Sequence, residues 1–250
     1  MNSIKIRLQR RIIAYLFASA CLTSVAYAQQ ANAEQEFFDA IRQGKTEKVN
    51  ELLQQQPSLL KASAKNGASP MLYAVYAGHP EIAESFIARG VEPDIFEAAI
   101  TGRIEHVRAL LKQNPTLVKA YSSDGWTALH LNWGRLEIVN LLLDHGADIN
   151  AVSHNHFAAS PLLGAIPSRK IEVARLLLKR GANVNCCGED GGSPLHEAAG
   201  SGQLNFAELL LAHGANINAK DDKGKTPLAM ALEYKRDAMA AWLRERGGKQ

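Results

Sequence analysis

The chain has 250 residues, with 28 Lys and Arg against 25 Asp and Glu and a formal net charge of +3. Four of the bases (Lys5, Arg7, Arg10, Arg11) and none of the acids lie in the first 28 residues, so the rest carries 24 bases against 25 acids. A near-neutral body gives no electrostatic case for nucleic acid or for an anionic membrane. About 220 residues without linker-like composition read as one elongated domain.

Residues 1–28 start basic, continue as an apolar run from Ile12 to Val25 and close on Ala26-Tyr27-Ala28. That order describes a secretory signal peptide cleaved after Ala28. The run is too short and wrongly flanked for a membrane span, so no stable insertion is expected after cleavage. Two rival readings stand beside it. Ala18-Ser19-Ala20-Cys21 faintly resembles a lipoprotein cleavage box that would anchor the chain at Cys21, although alanine stands where leucine is usual. Arg10-Arg11 suggests twin-arginine export, with flanks that fit poorly. Residues 29–33 read as a short flexible N-terminus.

Helix pairs come next. EQEFFDAIRQGKTEKVNELLQQQPSLLKA (34–62) recurs 58 residues later as DIFEAAITGRIEHVRALLKQNPTLVKA (94–120), and both copies end in a proline-containing connector. Between them, Asn66–Gly90 holds a further pair. Only Val91 and Glu92 separate Gly90 from Pro93, too few residues for a finger-like turn, so a finger is expected to be missing there. From Thr127 onward the pairs become regular. Thr127, Ser160, Ser193 and Thr226 are 33 residues apart, and the second helices read LEIVNLLLDHGADIN, IEVARLLLKRGANVN and LNFAELLLAHGANIN. In these pairs a Ser or Thr caps the first helix, commonly with proline behind it, and in the Ser193 unit Gly202 ends it.

One pair departs from this. Gly134 comes seven residues after Thr127, whereas Gly202 comes nine after Ser193. Deleting two helical residues rotates the downstream chain by roughly 200° about the helix axis. The first helix there should be shortened, with Trp133 near its end. The next connector, Asn150–Ser160, is ten residues rather than the eight of Asn185–Ser193, which restores the overall spacing. The last pair, Lys220–Gln250, carries Lys235, Arg236, Arg244, Glu245 and Arg246, a polar outer face suited to an end cap. Trp242 reads there as core.

The period, the TALH and SPLH starts and the LLLxxGAxxN close resemble the ankyrin repeat. The resemblance runs from about Glu34 to the C-terminus. It implies an all-α solenoid of stacked helix-turn-helix units with short β-hairpin fingers, about seven units over 34–250, the first and last as caps. It also implies a monomeric, non-enzymatic protein-interaction scaffold without cofactor. Some exported bacterial ankyrin proteins protect periplasmic enzymes or neutralise toxins, so with the signal peptide the expected location is the periplasm and the expected partner a protective or immunity-type protein.

No catalytic constellation is legible: GxSxG, HExxH, a phosphate loop and paired carboxylates are all lacking in a supporting context. His130 and His196 follow leucine in the ALH and PLH positions, where the resemblance implies a structural hydrogen-bonding role. A rival class, a thiol- or metal-dependent redox protein, rests on Cys186-Cys187 and on His154 and His156 in the preceding connector. Adjacent cysteines bridge each other only with strain, and the spacing matches no established zinc motif.

In ankyrin proteins partners meet the finger tips and the ends of the first helices. By position the tips offer Lys65 and Asn66; Ser123, Asp124 and Trp126; His156 and Phe157; Glu189 and Asp190; and Asp222 and Lys223. The helix ends offer Tyr76, Trp133 and Tyr234. Aromatic side chains on a mixed polar surface suit protein recognition, since each buries a large area at small entropic cost.

Overall fold

The computed structural model describes residues 30–131, 134–186 and 188–250. The leader, with its signal-peptide, Cys21 and Arg10-Arg11 readings, lies outside the described residues, as do Trp133 and Cys187. The chain divides into two compact units between Gly90 and Val91, at the connector where a finger is missing. Residues 91–94 hold no turn and run directly into a helix.

In the N-terminal unit, residues 30–42 form helix α1. Residues 30–33 are thus helical rather than a loose lead-in. Then come α2 (Thr46–Gln55), a 3-10 turn (Pro57–Lys61), α3 (Pro70–Tyr76) and α4 (Pro80–Ala88). Phe37, Ile41, Leu59, Met71, Leu72, Ile82 and Phe86 are almost fully buried, and the Phe37 and Phe86 rings lie 6.3 Å apart.

The C-terminal unit continues with α5 (Ile95–Thr101), α6 (Ile104–Gln113), a second 3-10 turn (Pro115–Lys119), α7 (Leu136–Asp144) and α8 (Pro161–Ala165). It ends with α9 (Ile171–Lys179), α10 (Pro194–Ser201), α11 (Leu204–Ala212), α12 (Pro227–Glu233) and α13 (Asp237–Glu245). The proline connectors of the two related blocks both become 3-10 turns, as their matching sequences require. Asp94 replaces the usual Ser/Thr-Pro entry. Its carboxylate accepts from Phe96 N–H at 2.9 Å and Glu97 N–H at 2.8 Å, and Glu97 accepts from Asp94 N–H at 3.0 Å. This capping box satisfies donors that the first helical turn cannot.

Elsewhere the caps act as their sequence positions predict. The hydroxyls of Ser69, Ser160 and Thr226 each accept, at 3.2 Å, from the backbone N–H three residues on. Where the fourth pair is two residues short, residues 128–131 form a turn instead of a helix. Too few residues remain there to complete a hydrogen-bonded helical core.

The first helix of each regular pair ends on a left-handed residue nine positions after its cap. Gly78 and Gly202 take that conformation without strain, but Arg169 (φ 55°) and Lys235 (φ 54°) occupy the same place. A side chain with a Cβ is disfavoured there by about 1 kcal/mol. Arg169→Gly and Lys235→Gly should each stabilise the chain by about that amount in urea unfolding. A loss of stability in both would contradict the assignment.

Successive repeats are locked by polar ladders that the sequence does not announce. Asn150 Oδ1 accepts from Asn183 N–H at 2.8 Å, Asn185 Oδ1 from Asn216 N–H at 2.9 Å, and Asn218 Oδ1 from Lys249 N–H at 2.7 Å. Asn185 and Asn218 also donate to the Gly214 and Gly247 carbonyls at 3.2 Å. On the other side, Gln203 Nε2 donates to Ile166 O and Arg236 Nε to Gly200 O, each at 3.0 Å. Both carbonyls lie at the C-terminal end of the preceding first helix, and Ile166 O also accepts from Arg169 N–H at 2.9 Å.

The expected β-hairpin fingers are not strands. Among the described residues there is one isolated antiparallel bridge, Tyr121 with Thr127, and the fingers are tight turns. Ser122 N–H donates to Trp126 O at 2.8 Å and Gly125 N–H to Ser122 O at 2.9 Å. The same pair of bonds recurs at Ala64–Ala68, Gly188–Gly192 and Asp221–Lys225. Loops this short leave no length for ladder pairing.

Candidate partner-binding groove

In the C-terminal unit neighbouring turns are stitched at their tips. His154 N–H donates to Gly125 O at 2.8 Å, Glu189 N–H to Phe157 O at 3.3 Å, and Asp222 N–H to Asp190 O at 3.0 Å. Below them, His130 and His196 tie each turn to its helix. Thr127 N–H and Ser193 N–H donate to the Nδ1 atoms of His130 and His196, at 3.3 and 3.0 Å. Each Nε2–H then donates to a carbonyl of the next connector, Ala159 O at 2.9 Å and Lys225 O at 3.0 Å. The structural role implied for the two histidines is the observed one. Desolvation pushes the His130 pKa down to about 4, so the ring stays neutral and keeps both bonds at neutral pH.

The turns carry an aromatic row. Trp126 and Phe157 stack with centroids 5.8 Å apart, His156 lies 3.9 Å from Phe157, and His154 stacks on Tyr121 at 3.6 Å. Trp126, Phe157, Leu163, Pro167 and Gly164 line a hollow of about 590 Å³ whose other border is Glu189, Asp190 and Glu197. Burial, with the Asp190 charge second, raises the Glu197 carboxyl above its usual range. That volume is of the size that takes small-molecule or side-chain guests.

The residues assigned by position divide. Trp126, Phe157, Glu189 and Asp190 come together in this hollow. His156 is exposed beside Phe157, and Ser123, Asp222 and Lys223 are exposed on the turns. Tyr234 is 53% exposed and its ring covers Gly200 in α10. In the N-terminal unit, Lys65 and Asn66 line a separate hollow of about 510 Å³ with Phe38 and Tyr73, while Tyr76 is half-buried and not among its lining. Asp124 departs from its assignment. It is 6% exposed and accepts from Ser122 Oγ at 2.6 Å, so it shapes its turn from within. Trp242 also differs from its reading as core: it is half-buried, with the Arg246 guanidinium 4.1 Å over its ring.

The metal and thiol cluster does not assemble among the described residues, where no group of three or more His, Cys, Asp or Glu could hold an ion. Cys186 Sγ lies 2.9 Å from the Ser160 hydroxyl, and His154 and His156 are taken up by ring contacts. No helix among the described residues is long and apolar enough to cross a membrane.

Known proteins resemble this chain in sequence. A family model described as ankyrin repeats in three copies matches residues 94–153 and 156–250, more than half the chain. Rat ankyrin repeat and SAM domain-containing protein 6 is 30% identical over 152 residues, covering 60% of this chain and 14% of the relative. The mouse B-cell lymphoma 3 protein homolog is 33% identical over 131 residues, 47% of this chain and 29% of the relative. A probable E3 ubiquitin-protein ligase of Oryza sativa subsp. japonica is 38% identical over 96 residues, 37% of this chain and 21% of the relative. The chain therefore spans less than a third of each of these proteins. Ankyrin repeats are protein-interaction modules, typically without catalytic activity of their own. With its helix pairs, caps and histidine ties all in place, the chain belongs to the ankyrin-repeat family.

Proposed function

We propose that this chain is a non-enzymatic binding module that captures a partner protein with its turn tips and the inner ends of its first helices, in the periplasm once the leader is removed. The observation that carries the binding face is the Trp126–Phe157 stack. Two large rings line one hollow, and Phe157 is 53% exposed. Leaving such a ring in water is unfavourable, and covering it with a partner recovers that cost. The location rests on the composition of residues 1–28 alone. A protective or immunity-type partner suits an exported scaffold of this kind.

Replacing Trp126, Phe157 and Tyr234 together with alanine should abolish capture of the partner crosslinked in the exported fraction, while the chain still melts cooperatively. Unchanged capture by a folded triple variant would contradict the binding face. Recovery of the mature chain from the cytoplasm alone would contradict the location.

A further inference from the structure

The hollow of the C-terminal unit is lined unevenly. Its floor is apolar, formed by Trp126, Phe157 and Leu163, and its border toward the next repeat carries Glu189, Asp190 and Glu197. No lysine or arginine among the described residues lines it. Several surface carboxylates of the same unit have cations beside them, such as Asp144 with Arg180 at 2.7 Å, Glu172 with Arg175 at 3.4 Å and Glu233 with Lys225 at 2.5 Å. The three carboxylates at the hollow enter no such pair among the described residues. Burial raises the Glu197 carboxyl, and the Asp190 charge adds to the shift. A cation delivered from outside would relieve that repulsion.

We infer that the hollow takes an extended peptide segment of the partner in which an aliphatic or aromatic side chain is followed closely by arginine. This rests on the protein-binding reading above and narrows it to a chemistry. The apolar side chain fills the floor, excluding water from the face of Phe157. Arginine suits the border better than lysine, because its flat guanidinium stacks on aromatic rings and meets carboxylates through paired N–H bonds. Acidic peptides and phosphate-bearing ligands meet like charge and are disfavoured.

The test uses the full mature chain and three short fluorescent peptides, read by anisotropy. One carries leucine followed by two arginines, the second has glutamates for the arginines, and the third has glycine for the leucine. The first should bind, and each twin should bind about tenfold more weakly or worse. Binding of the first should weaken as salt rises. A folded variant with Glu189→Gln, Asp190→Asn and Glu197→Gln should lose about the same factor for the first peptide and discriminate little against its glutamate twin. Equal binding of the twins, an unaffected rim variant or no binding of any probe would overturn the inference. In those cases, loss of natural-partner capture in the Trp126, Phe157 and Tyr234 variant would leave the binding face standing. Capture that survives that variant would remove both.

Discussion

Phe206→Ala is expected to lower the unfolding free energy by about 3 to 5 kcal/mol. The ring is 1% exposed and sits in α11, which packs against α10 in its own repeat and against α9 of the repeat before. A short helix pair cannot keep water from its apolar face unaided, so the cavity weakens a shared interface and not one repeat alone. Urea unfolding should show the loss. Native-state hydrogen exchange should show faster opening from α9 through α13. A loss below about 1 kcal/mol, or faster exchange confined to α11, would contradict stacking as the source of stability.

Acid should weaken the same unit through His130. Its folded pKa, about 4, lies below the ordinary value of 6.5 because burial disfavours the charged ring. Between those values the unfolded chain binds the extra proton, so this contribution is complete above pH 6.5 and is lost as pH falls toward 4. Allowing for the ring's partly exposed edge, it amounts to about 2 kcal/mol. Asp94 acts in the opposite sense. Desolvation pushes its carboxyl up to about 6, so its contribution is lost as pH rises, though its exposed position lets water screen the effect. The difference between wild type and His130→Gln cancels Asp94 and isolates the histidine. That difference should shrink by about 2 kcal/mol from pH 7 to pH 4, and a pH-independent difference would show that His130 titrates normally.

The features legible in the sequence are the ones that repeat. The 33-residue spacing, the Ser and Thr caps, the missing turn after Gly90 and the disruption of the helix after Thr127 all arise from local rules that act within one repeat. The features that escaped lie between repeats or depend on depth. Asn185 and Asn218 are the closing asparagines of the LLLxxGAxxN motif, and they also bond the next repeat's backbone. Nothing local distinguishes those roles. Asp124 has the composition of a tip residue and points inward because Ser122 holds it there. Arg169 and Lys235 stand where glycine is expected because the stacked neighbours fix the backbone whatever side chain it carries. Of the candidate site, the aromatic members were legible as residue types, but their convergence with the carboxylates on one hollow required the stacking of three successive turns.

The proposed binding face is tested most directly by hydrogen-exchange footprinting of the chain with and without a partner crosslinked to it. Protection should gather on the turns around Gly125, Phe157 and Asp190 and on the start of α10. Protection gathered on α9, α11 and α13, with those turns exchanging as in the free chain, would contradict it.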